Sequence, residues 1–498
     1  MIAIWSEYQR EYNQVVFIII DNFQTQIDEI IKYLGNKSNV EIKRFYLGKN
    51  SKIEAAIIYL NNMADKQLID RDILYPLMLN LEENVSKVKE RANYLSKRYI
   101  ISKSTIIKQD IPQAVSAIND GNTVLLTEND DEFIIIETPG GDYRRLSDPE
   151  NETSMRGSRE CFIENIDTNI SLMRRYIKDK NLLVENFVVG SRSQTRLAIL
   201  YIDDIIDRNI LDELKKRINL IDVDFLSATG MIEQYIEEKT YTIFPQAFST
   251  ERPDRVIANL MEGKFAIFLD GCPTALTVPT VVQEFFTTVE DYYGRTVTSS
   301  FLRLLRYFAV IIVLFFSSIY LVLIKFSSEL IPIQFIVPIV QSRSGISLTP
   351  FMEIFILEVF VELLREGGLR LPSKIAQTLS IVGGIIIGDA AVNSSMVSPT
   401  TLLVVGITVI ASFLIPNYEM SLSLRFARFI MLIISNVTGI FGISVGLIFL
   451  ITHLSSLESF GVPYMTFYKS DMKDIFIRSP LRQMNSRPAS TPNNNPSR

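Results

Sequence analysis

Residues 350–366 read PFMEIFILEVFVELLRE, an apolar helical pattern that carries Glu353, Glu358, Glu362 and Glu366. Runs of bilayer-spanning length flank it, Tyr307–Ile324 before and Ile375–Val392 after. Carboxylates at membrane depth are costly, so they face a water-filled path or a partner. At about 100° per residue, Glu358, Glu362 and Glu366 fall within an arc of about 80°, with Arg365 able to pair with Glu362 at i,i+3. Glu353 projects nearly opposite, among Ile356, Phe360 and Leu364. Two readings stay open: an amphipathic helix at the interface with its acids in water, or a helix lining a cation path in an oligomer, where rings of carboxylates select cations.

Outward from this stretch the chain divides. Its 498 residues are 47% hydrophobic and 21% charged, but Ile, Leu, Val and Phe dominate 301–460, whereas 1–300 has ordinary globular composition. The expected organisation is an α/β soluble region of two related subdomains (1–148 and 149–298), an all-α polytopic membrane domain (299–460), and a tail (461–498) whose end is disordered. A net charge of −6 gives no sign of nucleic-acid binding. Cys161 and Cys272 are too few for a disulfide framework and suit a reducing compartment. One histidine, His453, with no CxxC or HExxH, argues against a zinc site. No phosphate-binding glycine loop and no catalytic set appear, so neither a cofactor nor an enzymatic activity is expected. The apolar run Val15–Ile20 is too short for a signal peptide, which would leave the soluble region in the cytosol.

The soluble region repeats itself at an offset of 142 residues. FYLG (45–48) aligns with FVVG (187–190), Ala56 and Tyr59 with Ala198 and Tyr201, Asp65 with Asp207, and Gly121 with Gly263. Each copy reads strand (Ile42–Leu47; Leu183–Val189), strand (Ala55–Leu60; Leu197–Ile202), helix (Lys66–Leu79; Arg208–Ile218), a short helix ended by glycine (Pro112–Asp120; Arg255–Glu262), then strand (Thr123–Leu126; Phe265–Leu269). A helix near 23–34 or 162–178 precedes each. Asp203-Asp204 reads as a solvated strand end, and Ser191-Arg-Ser-Gln194 as a hairpin loop that could also cradle an anion.

In the membrane half, Arg303 and Arg306 before the first span place its N-terminal side in the cytosol. Ile331–Val340, with two prolines, is too short to span and reads as re-entrant or interfacial. Ile375–Val392 ends in Asp389, one turn before Asn393. Asp389 is either a functional acid or a carboxylate satisfied at a helix end. Pro399–Pro416 is another span. Leu424–Leu454 is too short for two full spans and fits a tilted or broken one. Arg365, Arg370, Lys374, Arg425 and Arg428 favour the cytosolic face. Four to six membrane segments with both termini cytosolic are expected. His453 reads as an interfacial residue or a proton relay.

Five blocks then carry a resemblance: RLAILYIDDIIDRNILDELKKRI (196–218), DGCPTALTVPTVVQEFFTTVEDYYGR (270–295), LLREGGLRLP (363–372), IVGGIIIGDAAVNSSMVSP (381–399) and FLIPNYEM (413–420). In order and spacing, over roughly 20–485, the chain resembles the A subunit of GerA-type spore germinant receptors, a family that includes the SpoVAF paralogue. The resemblance implies a spore inner-membrane protein with a cytosolic pair of α/β subdomains. It implies work beside a B subunit of amino-acid-transporter type and a lipoprotein C subunit, and homo-oligomerisation around a cation pore. Under it, Glu353, Glu358, Glu362, Asp389 and Asn393 become ion-pathway candidates and Arg365 a gating or pairing residue. Asp389 stands where many members carry Gln, so its role would belong to a subgroup. A secondary transporter with a regulatory domain and a non-conducting scaffold are the alternatives. No inverted repeat within 301–460 supports the transporter.

Overall fold

The structure is a computed structural model. It describes residues 23–497 except 35–39, 49–52, 141–151, 153–155, 372–383, 385–387 and positions 62, 84, 86–87, 89, 103 and 139. The apolar run 15–20 and most of the span expected over 375–392 lie outside the described residues. The chain forms two compact units: residues 1–150, 159–235 and 249–277 make one, and 151–158, 236–248 and 278–498 the other.

The first unit contains two five-stranded sheets of the same order. One is β1-β2-β4-β5-β3, built from Val40–Tyr46 (β1), Glu54–Leu60 (β2), Thr105–Lys108 (β3), Thr123–Thr127 (β4) and Phe133–Ile136 (β5). The other is β6-β7-β9-β10-β8, from Leu182–Val189 (β6), Thr195–Ile202 (β7), Phe248–Thr250 (β8), Phe265–Leu269 (β9) and Ala275–Val278 (β10). The repeat survives in the pairing register. Phe45 lies opposite Ala55 and Ile57 opposite Leu125, while Phe187 lies opposite Leu197 and Ile199 opposite Ile267.

β2 reads EAAIIYL because it is covered on both faces. Ala55, Ile57 and Tyr59 join a cluster with Ile73, Leu77 and Leu95 from helical segments 66–80 and 91–98. Ala56, Ile58 and Leu60 join another with Ile27, Ile30, Ala114 and Ile118 from helices 23–34 and Ile111–Asn119. The matched residues of the repeat have matched jobs. Asp65 and Asp207 each cap the following helix with a side-chain oxygen, accepting from Gln67 and Leu68 N–H in one copy and Asn209 N–H in the other. Gly121 and Gly263 both stop a helix at positive φ, +87° and +94°. The four short strands β3, β5, β8 and β10 had no sequence counterpart among the expected elements.

The second unit is mainly helical from 296 to 455, and a two-stranded antiparallel pairing of Glu458–Ser459 with Val462–Pro463 follows. Its helices are Thr296–Lys325 (α1), Ile333–Ser342 (α2), Pro350–Leu369 (α3), Pro399–Ser412 (α4), Tyr418–Thr438 (α5) and Ile440–Ser455 (α6). By length and apolarity α1 and α5 can each cross a membrane, and α2, α4 and α6 are shorter apolar helices. An apolar cluster marks one end of the bundle, uniting Phe244, Phe285 and Phe286 with Ala309 of α1, Ala411 of α4, Met420 and Leu424 of α5, and Leu457 after α6. At the other end Lys325 Nζ donates to the Asn436 carbonyl at 2.8 Å, and Tyr320 and Ser342 meet Thr400 at 2.9 and 3.1 Å. Gly439, at φ +63°, breaks the long apolar stretch into the α5–α6 hairpin. The single tilted or broken span expected over 424–454 is instead two helices, with room for both because α5 already starts at Tyr418.

Bonds within the tail join its two ends. Asp471 accepts from Ala489 and Ser490 N–H at 2.9 and 2.8 Å, and Ser486 bridges Ser497.

Candidate functional site

The acids of α3 sit along the bundle, and each meets an arginine. Glu353, fully buried, pairs with Arg343 at 2.7 Å and accepts from Ser398 N–H at 3.1 Å and Thr401 Oγ1 at 3.0 Å. Ser398 caps α4, so this carboxylate also lies at the positive end of that helix. Glu358, equally buried, lies 3.3 Å from Arg428 Nε and accepts from Ser317 Oγ at 2.8 Å; Ser317 in turn meets Thr408 at 3.3 Å. Glu362 bonds Arg425, lies 3.5 Å from Arg428 and 3.8 Å from Arg365. Arg365 donates to Ser412 Oγ at 3.0 Å and stacks over Phe413. Glu366 pairs with Arg370 at 2.6 Å on the exposed surface.

The physical reason is local. Arg425 and Arg428 stand at i,i+3 on α5, so both reach one neighbouring helix. Their side chains are 4% and 1% exposed. A buried guanidinium needs a carboxylate within reach, and α3 supplies two, one turn apart. Buried hydroxyls of Ser317, Ser318, Thr401, Thr408 and Ser412 extend the polar seam across α1 and α4.

Asp389 and Asn393 fall elsewhere. Both are exposed on the short helical segment before α4, and no bond among the described residues joins them to this network. The structure thus joins Glu358, Glu362 and Arg365 in one network through Arg425 and Arg428, gives Glu353 a separate site with Arg343, and leaves Asp389 and Asn393 apart.

Sequence reasoning missed Arg343, Arg425 and Arg428 as partners. Arg425 and Arg428 are buried inside α5, so they are not loop charges. The signal was their spacing inside an apolar helix, SLSLRFARFIMLI. His453 ends α6 facing Thr242 Oγ1 at 3.0 Å, with its ring stacked on Phe449 at 6.3 Å.

A second charged cluster lies at the start of α1. Burial pushes the Asp291 carboxyl up, but Arg306 and then Arg303 outweigh it and hold it below the usual range. Arg306 contacts it at 2.6 and 2.8 Å.

Comparison with known proteins places the chain. Residues 28–490 match the family model described as Bacillus/Clostridium GerA spore germination protein. The chain is 37% identical to spore germination protein KA of Bacillus subtilis over 95% of its own length and 87% of that protein. It is 34% identical to the membrane protein YfkQ of the same organism, over 94% and 91%. Identity to spore germination protein GerLA of Bacillus cereus is 35%, over 92% and 94%. A crystal structure of the N-terminal domain of the A subunit of the Bacillus megaterium germinant receptor GerK3 aligns at 26% identity, covering 51% of this chain and 93% of that one, with a TM-score of 0.39. The chain belongs to the GerA family of Bacillus/Clostridium spore germination proteins.

Proposed function

We propose that this chain acts in spore germination as the A subunit of a nutrient germinant receptor, and that copies of it form a cation pathway held shut by the α3–α5 ion pairs. Membership of the GerA family and relatives named for spore germination support the receptor role. In this reading the chain sits in the spore inner membrane with its sheets in the cytosol, beside a transporter-type B subunit and a lipoprotein C subunit. The described helices support placing both ends of the bundle's chain on one side: the start of α1, the ends of α3 and α4, the start of α5 and the end of α6 share one end of the bundle.

The carrying observation is the fully buried contact Glu358–Arg428, with the part-buried Glu362–Arg425 one turn on, on a helix rich in Phe, Ile, Leu and Val. Carboxylates neutralised this way present no negative ring to a cation. Conduction then requires the arginines to move off, which makes α5 the gate and Arg365 the residue positioned to follow Glu362. Asp389 and Asn393 would border the pathway from neighbouring copies.

The test is potassium release from proteoliposomes holding the full chain. Arg428→Gln is expected to raise release above the parent, and adding Glu358→Gln and Glu362→Gln to it to take that rise away. Release from the triple variant equal to that of Arg428→Gln, at equal protein per liposome, would remove the acids from the pathway. One observation favours a non-conducting scaffold instead: Glu353, Glu358, Glu362 and Glu366 all find arginines within their own chain. That reading expects no release from either protein.

A further inference from the structure

The chain that leaves α6 returns to the beginning of α1. Arg303, in the third turn of α1, is completely buried. Its guanidinium lies 3.3 Å from Asp291 and 2.9 Å from Asp474 Oδ1, and it also donates to the Asp474 carbonyl. Asp291 is shared with Arg306 at 2.6 Å. Without Asp474, the buried Arg303 and the part-buried Arg306 would share one carboxylate, and a buried cation left short of a partner is costly.

The rest of the segment is fitted to the same place. Tyr292 donates its hydroxyl to Asp474 Oδ2 at 2.6 Å, and its ring lies under both Arg303 and Arg478, each 5.7 Å away. Arg478, 3% exposed, donates to the carbonyls of Gly294 at 3.0 Å and Tyr292 at 3.1 Å. Phe476 packs its ring on Tyr307 of α1 at 4.9 Å. Farther back, Val282 N–H donates to the Tyr464 carbonyl at 2.9 Å.

We propose that residues 471–478 are a positioning strap, in which Asp474 supplies the second carboxylate that Arg303 requires and thereby fixes the start of α1 to the connector 279–295. That connector runs on from β10, so whatever displaces it moves α1 and the strap together. Asp474 is a positioning residue acting through Arg303. The proposal stands on this geometry whether or not the bundle conducts.

Hydrogen exchange on the full chain in nanodiscs tests it. Asp474→Asn should speed exchange at amides 286–306 by about tenfold or more, less than the loss of a fully buried partner produces because the Asp474 side chain is 32% exposed. The α5–α6 hairpin should be unchanged, and Asp474→Glu should restore most of the protection. Unchanged exchange over 286–306, an equal rise across α5 and α6, or no rescue by Glu would each overturn the strap. Should Asp474→Asn fail to fold, Tyr292→Phe removes one bond to Asp474. It should speed the same amides by roughly two- to fivefold, and no change there would equally overturn the proposal.

Discussion

Replacing Arg428 with Gln should destabilise the bundle more than replacing its partner Glu358, and the two losses should not add. The guanidinium and carboxylate stand 3.3 Å apart with side chains 1% and 0% exposed. At an effective dielectric of about 20, that separation gives an attraction of about 5 kcal/mol. Removing Arg428 leaves Glu358 with the Ser317 hydroxyl, and loosens Glu362 as well, for a cost of about 3–5 kcal/mol. Removing the Glu358 charge is milder. The amide of Glu358→Gln would keep the Ser317 bond, and Arg428 would keep Glu362 at 3.5 Å, so about 1–3 kcal/mol is expected. In the double variant no uncompensated charge remains, and its stability should return to near the milder single. The assay is thermal unfolding of the full chain in one detergent at one scan rate, read as a rank order because unfolding of membrane proteins is often irreversible. Arg428→Gln unfolding no earlier than Glu358→Gln, or a double variant as low as the sum of the singles, would refute the pairing argument.

Three further outcomes follow from geometry. The Asp291 carboxyl is held below its unfolded value of about 3.9, so its contribution to stability is present above about pH 4 and is lost as pH falls through the lower folded value. Asp291→Asn should flatten that acid limb in a pH series of unfolding temperatures while lowering stability at neutral pH. A Cβ at Gly442 would meet the Ile434 carbonyl oxygen at 2.8 Å, whereas at Gly446 it would meet the flexible Met431 side chain. Gly442→Ala should therefore cost about 1–3 kcal/mol, and Gly446→Ala measurably less, by the same unfolding assay. Asp207→Ala should lose about 1 kcal/mol of local stability through the unmade cap, seen as faster amide exchange in the first turn of helix 208–219, with Asp65→Ala doing the same at 66–68.

Much of the first unit was legible because period and punctuation agree there. β2 and β7 each carry an unbroken run of six apolar or aromatic residues, 55–60 and 197–202, and the repeat supplied two readings of each element. The aligned Asp65/Asp207 and Gly121/Gly263 proved to be caps and helix stops, residues whose identity is fixed by backbone geometry. The strands β3, β5, β8 and β10 were missed because three or four residues such as TIIK or FST carry too little period to separate from loop. In the helical unit, the apolar stretches were plain. The polar partners of the acids were not, because pairing depends on which helices become neighbours. Helical geometry placed Glu353 apart from Glu362, and the structure gives them separate arginines. It could not say that Arg425, 63 residues on, would be the partner of Glu362.

That separation bears on how the chain is made. The most apolar 18-residue window of α5 has a mean hydropathy of 1.4 against 2.7 for α1, and each arginine at mid-helix costs about 2.5–3.5 kcal/mol at insertion. Arg425 and Arg428 emerge from the ribosome after Glu358 and Glu362. In the proposed membrane arrangement, a nascent chain that has already lodged α3 would offer α5 its counter-charges on arrival, and Gly439 would let apolar α6 enter with it as a pair. The order of the helices along the sequence is then itself an assembly instruction, acids first and arginines second.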